Sequence, residues 1–250
     1  MSSHVNEPLA AGPERRWAAQ IGDLLARAVE VPAALLVLAD VGVLLAGVVS
    51  RYALHKPLIW SDELAGILFL WLAMLGSVVA LHRGEHMRMT ALVGNMSARR
   101  RAFFDFLAVA AAVAFLALIV HPAYEFASDE VFVTMPALEI PNAWRAAAIP
   151  VGVGLMLMVG LLKLLRHATS RDALVALALV AGVIALAWLA GPALKPLGKL
   201  NLLIFFLFGV GAMVLLGVPI AFSFGLATFA YITLTTSMPI GVMVGRMDEG

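Results

Sequence analysis

Long apolar blocks dominate the pattern of hydrophobic and polar positions along the chain. Five of them are each close to the roughly 20 residues that a helix needs to cross the hydrocarbon core of a bilayer. They are Val31–Val49, Leu64–Leu81, Ala102–Val120, Ala146–Leu162 and Ala173–Leu194. Because the blocks are continuous rather than alternating, they predict transmembrane helices and not the strands of a barrel.

A further apolar stretch runs from Leu200 to Gly245 without a charged residue and is too long for one span. Gly217-Val218-Pro219 lies near its middle, where proline removes a backbone donor and glycine permits a turn. We predict two helices, over about residues 201–217 and 219–236, in a tight hairpin. One bent rod is the alternative. The predicted fold class is an all-α integral membrane protein with about seven transmembrane helices.

The segment before the first block is amphipathic. Between Glu14 and Glu30, an apolar arc that includes Trp17 is separate from an arc of charged and amide side chains. This pattern predicts an interfacial helix on the membrane surface with Trp17 as its anchor. Pro32 suits the start of the first span better than a helix interior. The alternative is that the segment simply extends the first span into the cytosol.

Composition and charge restrict the function classes. The chain of 250 residues is 62% hydrophobic and 13% charged, has a net charge of +1 and contains no cysteine. A soluble enzyme of this composition would have too little polar surface to cover itself. The low net charge argues against a nucleic-acid partner, and the lack of cysteine excludes disulfides and thiolate metal sites. Membrane lipid is therefore the predicted surrounding of the chain.

The distribution of cations predicts the orientation. With seven spans, eleven of the 17 Lys and Arg residues fall on one side of the membrane and six on the other. The cation-rich side is cytoplasmic by the positive-inside rule. We therefore predict a cytoplasmic N-terminus, an external C-terminus and an acidic outer loop over residues 121–145.

Few residues inside or near the spans could carry chemistry. Asp40 is the carboxylate deep within a span, and it is either a packing contact between helices or part of an ion path. His82 and His86 share a helical face but have no third metal ligand nearby, and no span has a histidine at its middle to hold haem. Catalytic motifs are absent from the sequence. We therefore predict no enzyme activity, no metal site and no cofactor.

Two acidic pairs lie on the predicted outer side. Ser61-Asp62-Glu63 precedes the second block, where Ser61 suits a cap and the two acids favour the positive end of a helix. The alternative is an exposed contact for a partner outside the membrane. Together with Asp129 and Glu130, Asp62 and Glu63 are the candidate docking residues for a partner with basic patches. Trp60 and Trp144 are predicted anchors at headgroup level.

Several short motifs resemble one transporter family in their order and placement. They are Arg51-Tyr52, Trp60-Ser61-Asp62-Glu63-Leu64, Arg83-Gly84-Glu85-His86-Met87 and Ile140-Pro141-Asn142-Ala143-Trp144. This series resembles the small, DctQ-like membrane subunit of tripartite ATP-independent periplasmic (TRAP) transporters. The segment 216–222 resembles the first hairpin of the large, DctM-like subunit. The resemblance implies a tail and interfacial helix at 1–30, a four-helix domain at 31–168, a linker helix at 169–197 and a truncated large-subunit part at 198–250.

The resemblance also implies a function. The family imports small organic anions, mostly carboxylates, across the bacterial inner membrane with a sodium gradient and a soluble periplasmic binding protein. The expected partners are that binding protein and the remainder of the large subunit. Sodium ions are expected for the complete transporter but not within this chain, and no substrate residue can be carried over to it. The chain itself is expected to be a scaffold. The rivals are a structural or assembly membrane protein without transport activity of its own, and a redox subunit.

Overall fold

The computed structural model describes residues 13–84, 97–167 and 171–249. Apart from one isolated bridge, the regular elements of these residues are helices. They are α1 (Pro13–Tyr52), α2 (Ser61–Arg83), α3 (Ala98–Asp129), α4 (Ala143–Ala146), α5 (Ala148–His167), α6 (Arg171–Leu194), α7 (Leu200–Leu202), α8 (Val210–Leu215), α9 (Ile220–Thr235) and α10 (Gly241–Glu249). A π-helical segment, Leu203–Gly209, joins α7 to α8.

Five helical segments are long and apolar enough to cross a membrane. They are Gln20–Tyr52, Ser61–Arg83, Arg100–Phe132, Ala143–Leu165 and Leu174–Leu197. Shorter apolar helices follow at Leu200–Leu215 and Ile220–Thr235. The predicted class, an all-α membrane protein, is confirmed.

The first helix is longer than predicted. α1 runs without a break through Pro32, so the predicted start of the span at this proline is wrong and the structure follows the alternative of one extended helix. Its buried and half-buried positions recur every three or four residues on both sides of the proline, and include Gly22, Ala26, Val29, Ala33, Leu36, Asp40, Val43, Gly47 and Ser50. Because this stripe keeps its phase, continued packing outweighs the one backbone hydrogen bond that proline removes.

Ionic contacts join α1 to α2 at one end of the bundle. The Asp23 carboxylate lies 3.1 Å from His82 Nε2, and Glu30 accepts a hydrogen bond of 2.8 Å from Arg83. Lys163 of α5 donates a hydrogen bond of 2.7 Å to the carbonyl of Leu81, in the last turn of α2. We call this the basic end. His82 therefore contacts Asp23, while His86 lies outside the described residues.

The bundle core lies between α1, α2, α3 and α5. Its fully buried side chains include Val78, Leu116, Ile119, Ile149, Val153 and Val159. Two glycines of α5 allow close approach: a Cβ at Gly152 would lie 2.6 Å from Met74 Cε, and one at Gly160 would lie 2.6 Å from Val113. Small residues of this kind bring membrane helices into direct contact.

The third helix also continues past its predicted end. α3 extends through Pro122 to Asp129, so the predicted span end at Val120 and loop start at His121 are wrong. The last turns of α3 remain packed, because Ala123 is fully buried and Phe126 lies against the core. The connection that follows α3 is therefore shorter than predicted, and we call residues 130–142 the acidic loop.

The predicted hairpin is confirmed. Gly217 has a φ of 87° in the turn between Leu215 and Ile220, a conformation that glycine adopts without strain. The two arms pack through Phe206 and Tyr231, whose ring centroids lie 5.9 Å apart. Each arm has 16 residues, fewer than any of the five long spans, and the α-helical second arm is about 24 Å long. The hairpin packs on α3 through a contact between Phe115 and Phe222.

Candidate docking site at the acidic end

The acidic loop is an ordered turn at the end of the bundle opposite the basic end, which we call the acidic end. At its base, Asn142 donates from its side chain to Glu130 over 2.7 Å and from its backbone to the carbonyl of Val133 over 2.7 Å. Further in, the amide of Met135 donates to the carbonyl of Ile140 over 2.9 Å. These bonds fix the path of the loop from α3 to α4.

The tip of the acidic loop is bound to the start of α2. Both carboxylate oxygens of Glu63 accept hydrogen bonds from the amide of Ala137, over 2.9 and 3.0 Å. The amide of Leu138 donates to the same carboxylate over 2.9 Å. Hydrogen bonds from amides to an ionised carboxylate are stronger than those between neutral groups. The Glu63 carboxylate is therefore used in hydrogen bonds to the acidic loop, and the Glu130 carboxylate in a hydrogen bond from Asn142.

The other two candidate docking acids are exposed. The side chain of Asp62 is 75% exposed and lies 3.4 Å from the Arg51 guanidinium, which is itself half exposed. Asp129 is exposed at the last residue of α3, where the acidic loop begins. The structure thus places the four predicted acids at one end of the bundle but gives them two kinds of environment.

The start of α2 differs from the prediction in its cap. Asp62 and Glu63 lie in the first turn, as predicted, and their charges suit the positive end of the helix. Ser61 is not the capping residue, because its hydroxyl donates to the carbonyl of Leu58 over 2.8 Å. Ser61 is buried against Gly47, where an added Cβ would lie 2.9 Å from the serine oxygen. Ser61 therefore serves the close packing of α1 on α2 and does not cap α2.

The predicted tryptophan anchors all have exposed side chains. Trp60 and Trp144 lie at the acidic end, and Trp17 lies in the first turns of α1. The carbonyl of Trp144 accepts a hydrogen bond of 2.9 Å from the indole of Trp71, which connects α4 to α2. At the acidic end Phe132 is 88% exposed. The three tryptophans stay predicted headgroup contacts.

Asp40 lies on the buried face of α1. One of its carboxylate oxygens contacts no hydrogen-bond partner among the described residues, which leaves both predicted roles open. The residues that the structure describes contain no group of three His, Asp or Glu side chains that could hold a metal ion.

A contact that the sequence did not reveal joins the bundle to the last helix. Arg145 of α4 donates a hydrogen bond to the backbone carbonyl of Asp248, and its Nε lies 3.5 Å from the carboxylate of that residue. Asp248 is 7% exposed. Next to this pair, Gly245 of α10 lies against the Phe126 ring of α3. No sequence pattern links positions 145 and 248, which come together only through the fold.

The comparisons with known proteins agree with one another. A family model described as tripartite ATP-independent periplasmic transporters, DctQ component, matches residues 40–170. The chain is 34% identical over 122 residues to the sialic acid TRAP transporter permease protein SiaT of Haemophilus influenzae, covering 49% of the chain and 20% of that protein. It is 33% identical over 101 residues to the C4-dicarboxylate TRAP transporter small permease protein DctQ of Rhodobacter capsulatus, covering 40% and 44%.

A third relative matches a longer part of the chain. The isethionate TRAP transporter permease protein DctMQ of Oleidesulfovibrio alaskensis is 28% identical over 191 residues, covering 73% of the chain and 28% of that protein. The chain therefore spans less than half the length of each of these three relatives.

Proposed function

Since the chain belongs to the DctQ-component family of TRAP transporters, we propose that it is a membrane scaffold of a sodium-coupled transporter that imports small organic anions, carboxylates in particular. The observation that carries the proposal is the match of the family model to residues 40–170, which hold most of the bundle formed by α1, α2, α3 and α5. The relatives named for sialic acid and C4-dicarboxylate support the substrate class. The alternative is a structural or assembly membrane protein without transport activity of its own.

The helices after the bundle are proposed to begin a fused large subunit. The DctMQ relative aligns over 191 residues, more than the small-subunit-like bundle contains, and this length supports a fused arrangement. In this proposal α6 is the linker between the two parts, and the hairpin Leu200–Thr235 is the first element of the large one. The remainder of that subunit is the proposed membrane partner, and it is the proposed carrier of the substrate and sodium sites.

The proposed location is the bacterial inner membrane, with the basic end in the cytoplasm. Arg27, Arg83, Arg101 and Lys163 are at that end, and an excess of Lys and Arg is typical of cytoplasmic flanks. A reporter enzyme that is active only outside the cytoplasm should be active when fused after Gly250 and inactive when fused after Arg101. The reverse result would contradict this orientation.

The acidic end is the proposed docking surface for a soluble periplasmic binding protein. It faces away from the cytoplasm in the proposed orientation, and it exposes Asp62 and Asp129. Exposed charges steer a partner of opposite charge toward the surface and raise the association rate more than the final affinity. The proposal therefore rests on these two acids, while Glu63 and Glu130 hold the acidic loop.

Charge reversal of Asp62 and Asp129 tests the proposed function in the complete transporter. Proteoliposomes with a sodium gradient should take up substrate only when the binding protein is present. The double variant Asp62→Lys/Asp129→Lys should need about tenfold more binding protein for half-maximal uptake at low salt, because steering is reversed. The loss should shrink as ionic strength rises.

Neutral variants provide the matched control for this titration. Asp62→Asn/Asp129→Asn removes attraction without adding repulsion, so it should produce a smaller shift in the same direction. Uptake that needs neither sodium nor binding protein would contradict the proposed function. A titration that is unchanged by charge reversal would place the docking site elsewhere.

A further inference from the structure

The contact between Glu63 and the tip of the acidic loop bridges two distant segments of the chain. Glu63 lies in the first turn of α2, and its partners Ala137 and Leu138 are 74 and 75 residues away. The carboxylate is half-buried and accepts three hydrogen bonds of 2.9 to 3.0 Å. A single carboxylate therefore binds two successive backbone amides of the loop.

The amides of the loop tip donate their hydrogen bonds to a residue outside the loop, whereas several neighbouring amides donate within it. The amide of Met135 donates to Ile140, that of Glu139 donates to Met135, and that of Asn142 donates to Val133. The amides of Ala137 and Leu138 instead donate to Glu63. Partly buried backbone donors need an acceptor, and Glu63 satisfies both at once. Removing the carboxylate would leave both donors without this partner and would release the tip.

The position of Glu63 relates this contact to docking. Glu63 follows the exposed Asp62 on α2, and the loop that it binds begins next to the exposed Asp129 on α3. We propose that Glu63 is a positioning residue, which holds the acidic loop against α2 so that Asp62 and Asp129 present one preorganised surface to the binding protein. This inference rests on the docking function proposed above. A surface that is already ordered loses less entropy when it binds.

Glu63→Gln is a second variant, which changes the hydrogen bonding of the side chain but keeps its shape. Glu63→Gln keeps the length and shape of the side chain but replaces one acceptor oxygen with an NH₂ donor, which would face a backbone N–H. Because Oε2 alone accepts from both Ala137 and Leu138, the remaining carbonyl oxygen can still hold the tip, so Glu63→Gln should loosen the loop less than Glu63→Ala while disturbing the packing of α2 much less. A role in packing alone would instead be preserved by glutamine.

The first measurement reports how accessible the tip of the acidic loop is, and it needs no binding protein. The chain contains no cysteine, so a Leu138→Cys reporter in a cysteine-free form of the complete transporter can be labelled with a membrane-impermeant maleimide. Leu138 is half-buried, and we expect Glu63→Ala to raise its labelling rate about tenfold by opening the loop, and Glu63→Gln to raise it by less. A Phe132→Cys reporter is the control, because Phe132 is already 88% exposed.

The second measurement connects the loop to docking. In sodium-driven uptake, Glu63→Ala should raise the binding-protein concentration for half-maximal uptake about fivefold and Glu63→Gln by less, with less than about a twofold change in the maximal rate. Glu125→Gln is the matched control, because Glu125 is an exposed acid of α3 whose carboxylate lies 3.5 Å from His121, one turn away. It should leave the titration unchanged.

The outcomes separate this inference from the proposed function. An unchanged labelling rate at Leu138→Cys in both Glu63 variants would show that Glu63 does not hold the acidic loop against α2. Faster labelling with an unchanged binding-protein titration would overturn its role in docking. If the unmodified transporter takes up substrate without a binding protein, the proposed function fails and the docking role of Glu63 fails with it. The labelling comparison would still show whether Glu63 holds the loop.

Discussion

Gly152→Leu is expected to prevent α5 from packing on α2. A Cβ at this position would lie 2.6 Å from Met74 Cε and 2.7 Å from Met74 Cβ. The Cβ of Met74 is attached directly to the backbone of α2, so it cannot move aside unless the helix moves. Overpacking a close-packed core costs about 1–3 kcal/mol even for small additions. Leucine adds four carbons, and we expect the cost to reach or exceed the upper value.

A second glycine of the same helix supplies the control. An added Cβ at Gly154 would meet no atom within 4 Å, so Gly154→Leu should be tolerated. Thermal unfolding of the purified protein in detergent, followed with gel filtration, should show a large loss of stability for Gly152→Leu alone. Equal melting of the two variants would contradict the close contact between α2 and α5.

Hydropathy predicted where most helices lie, but not where two of them begin or end. The apolar blocks and Gly217-Val218-Pro219 led to the long spans and to the hairpin, because both features act locally. Pro32 was interpreted as the start of the first span and Val120 as the end of the third, yet α1 continues through Pro32 and α3 continues past Val120 through Pro122. Whether proline ends a helix depends on what packs on either side of it, and in membrane helices neighbouring groups replace the lost hydrogen bond. The stripe of buried and half-buried residues on α1 runs on both sides of Pro32, but the apolar block around it hides this stripe in the sequence.

The sequence and the structure agree on where the four candidate acids lie along the bundle, while their docking role stays a prediction. The sequence indicated four acids on one side of the membrane, and the structure brings Asp62, Glu63, Asp129 and Glu130 to one end. It could not distinguish exposed acids from those that bind backbone amides, because the partners of Glu63 are 74 and 75 residues away in the chain. Periodicity and composition describe neighbours within a few turns. They carry no information about which loop folds back on which helix.

The same limit applies to Arg145 and Asp248, whose contact leads to the second large expected effect. Arg145→Met should destabilise the docking of α10 on α3, because Asp248 is 7% exposed and would lose the guanidinium that lies 3.5 Å from its carboxylate and donates to its backbone carbonyl. Removing one partner of a fully buried ion pair costs about 3–5 kcal/mol, and because the Arg145 side chain is 27% exposed we expect a loss at the lower end of that range or below it. Arg51→Met is the matched control: the Arg51–Asp62 pair spans 3.4 Å with side chains 51% and 75% exposed, and such surface pairs contribute about 1 kcal/mol or less.

Two measurements check this expectation. Thermal unfolding should show a much larger loss for Arg145→Met than for Arg51→Met. A Val244→Cys reporter, at a position that is fully buried in α10, should react with maleimide faster only in the Arg145→Met background. The double variant Arg145→Met/Asp248→Leu should recover part of the stability, since an apolar pair can replace a buried ion pair at little cost. If Arg145→Met and Arg51→Met melt alike, the pair does not hold α10, and the apolar contacts of Met243, Val244 and Gly245 carry the attachment instead.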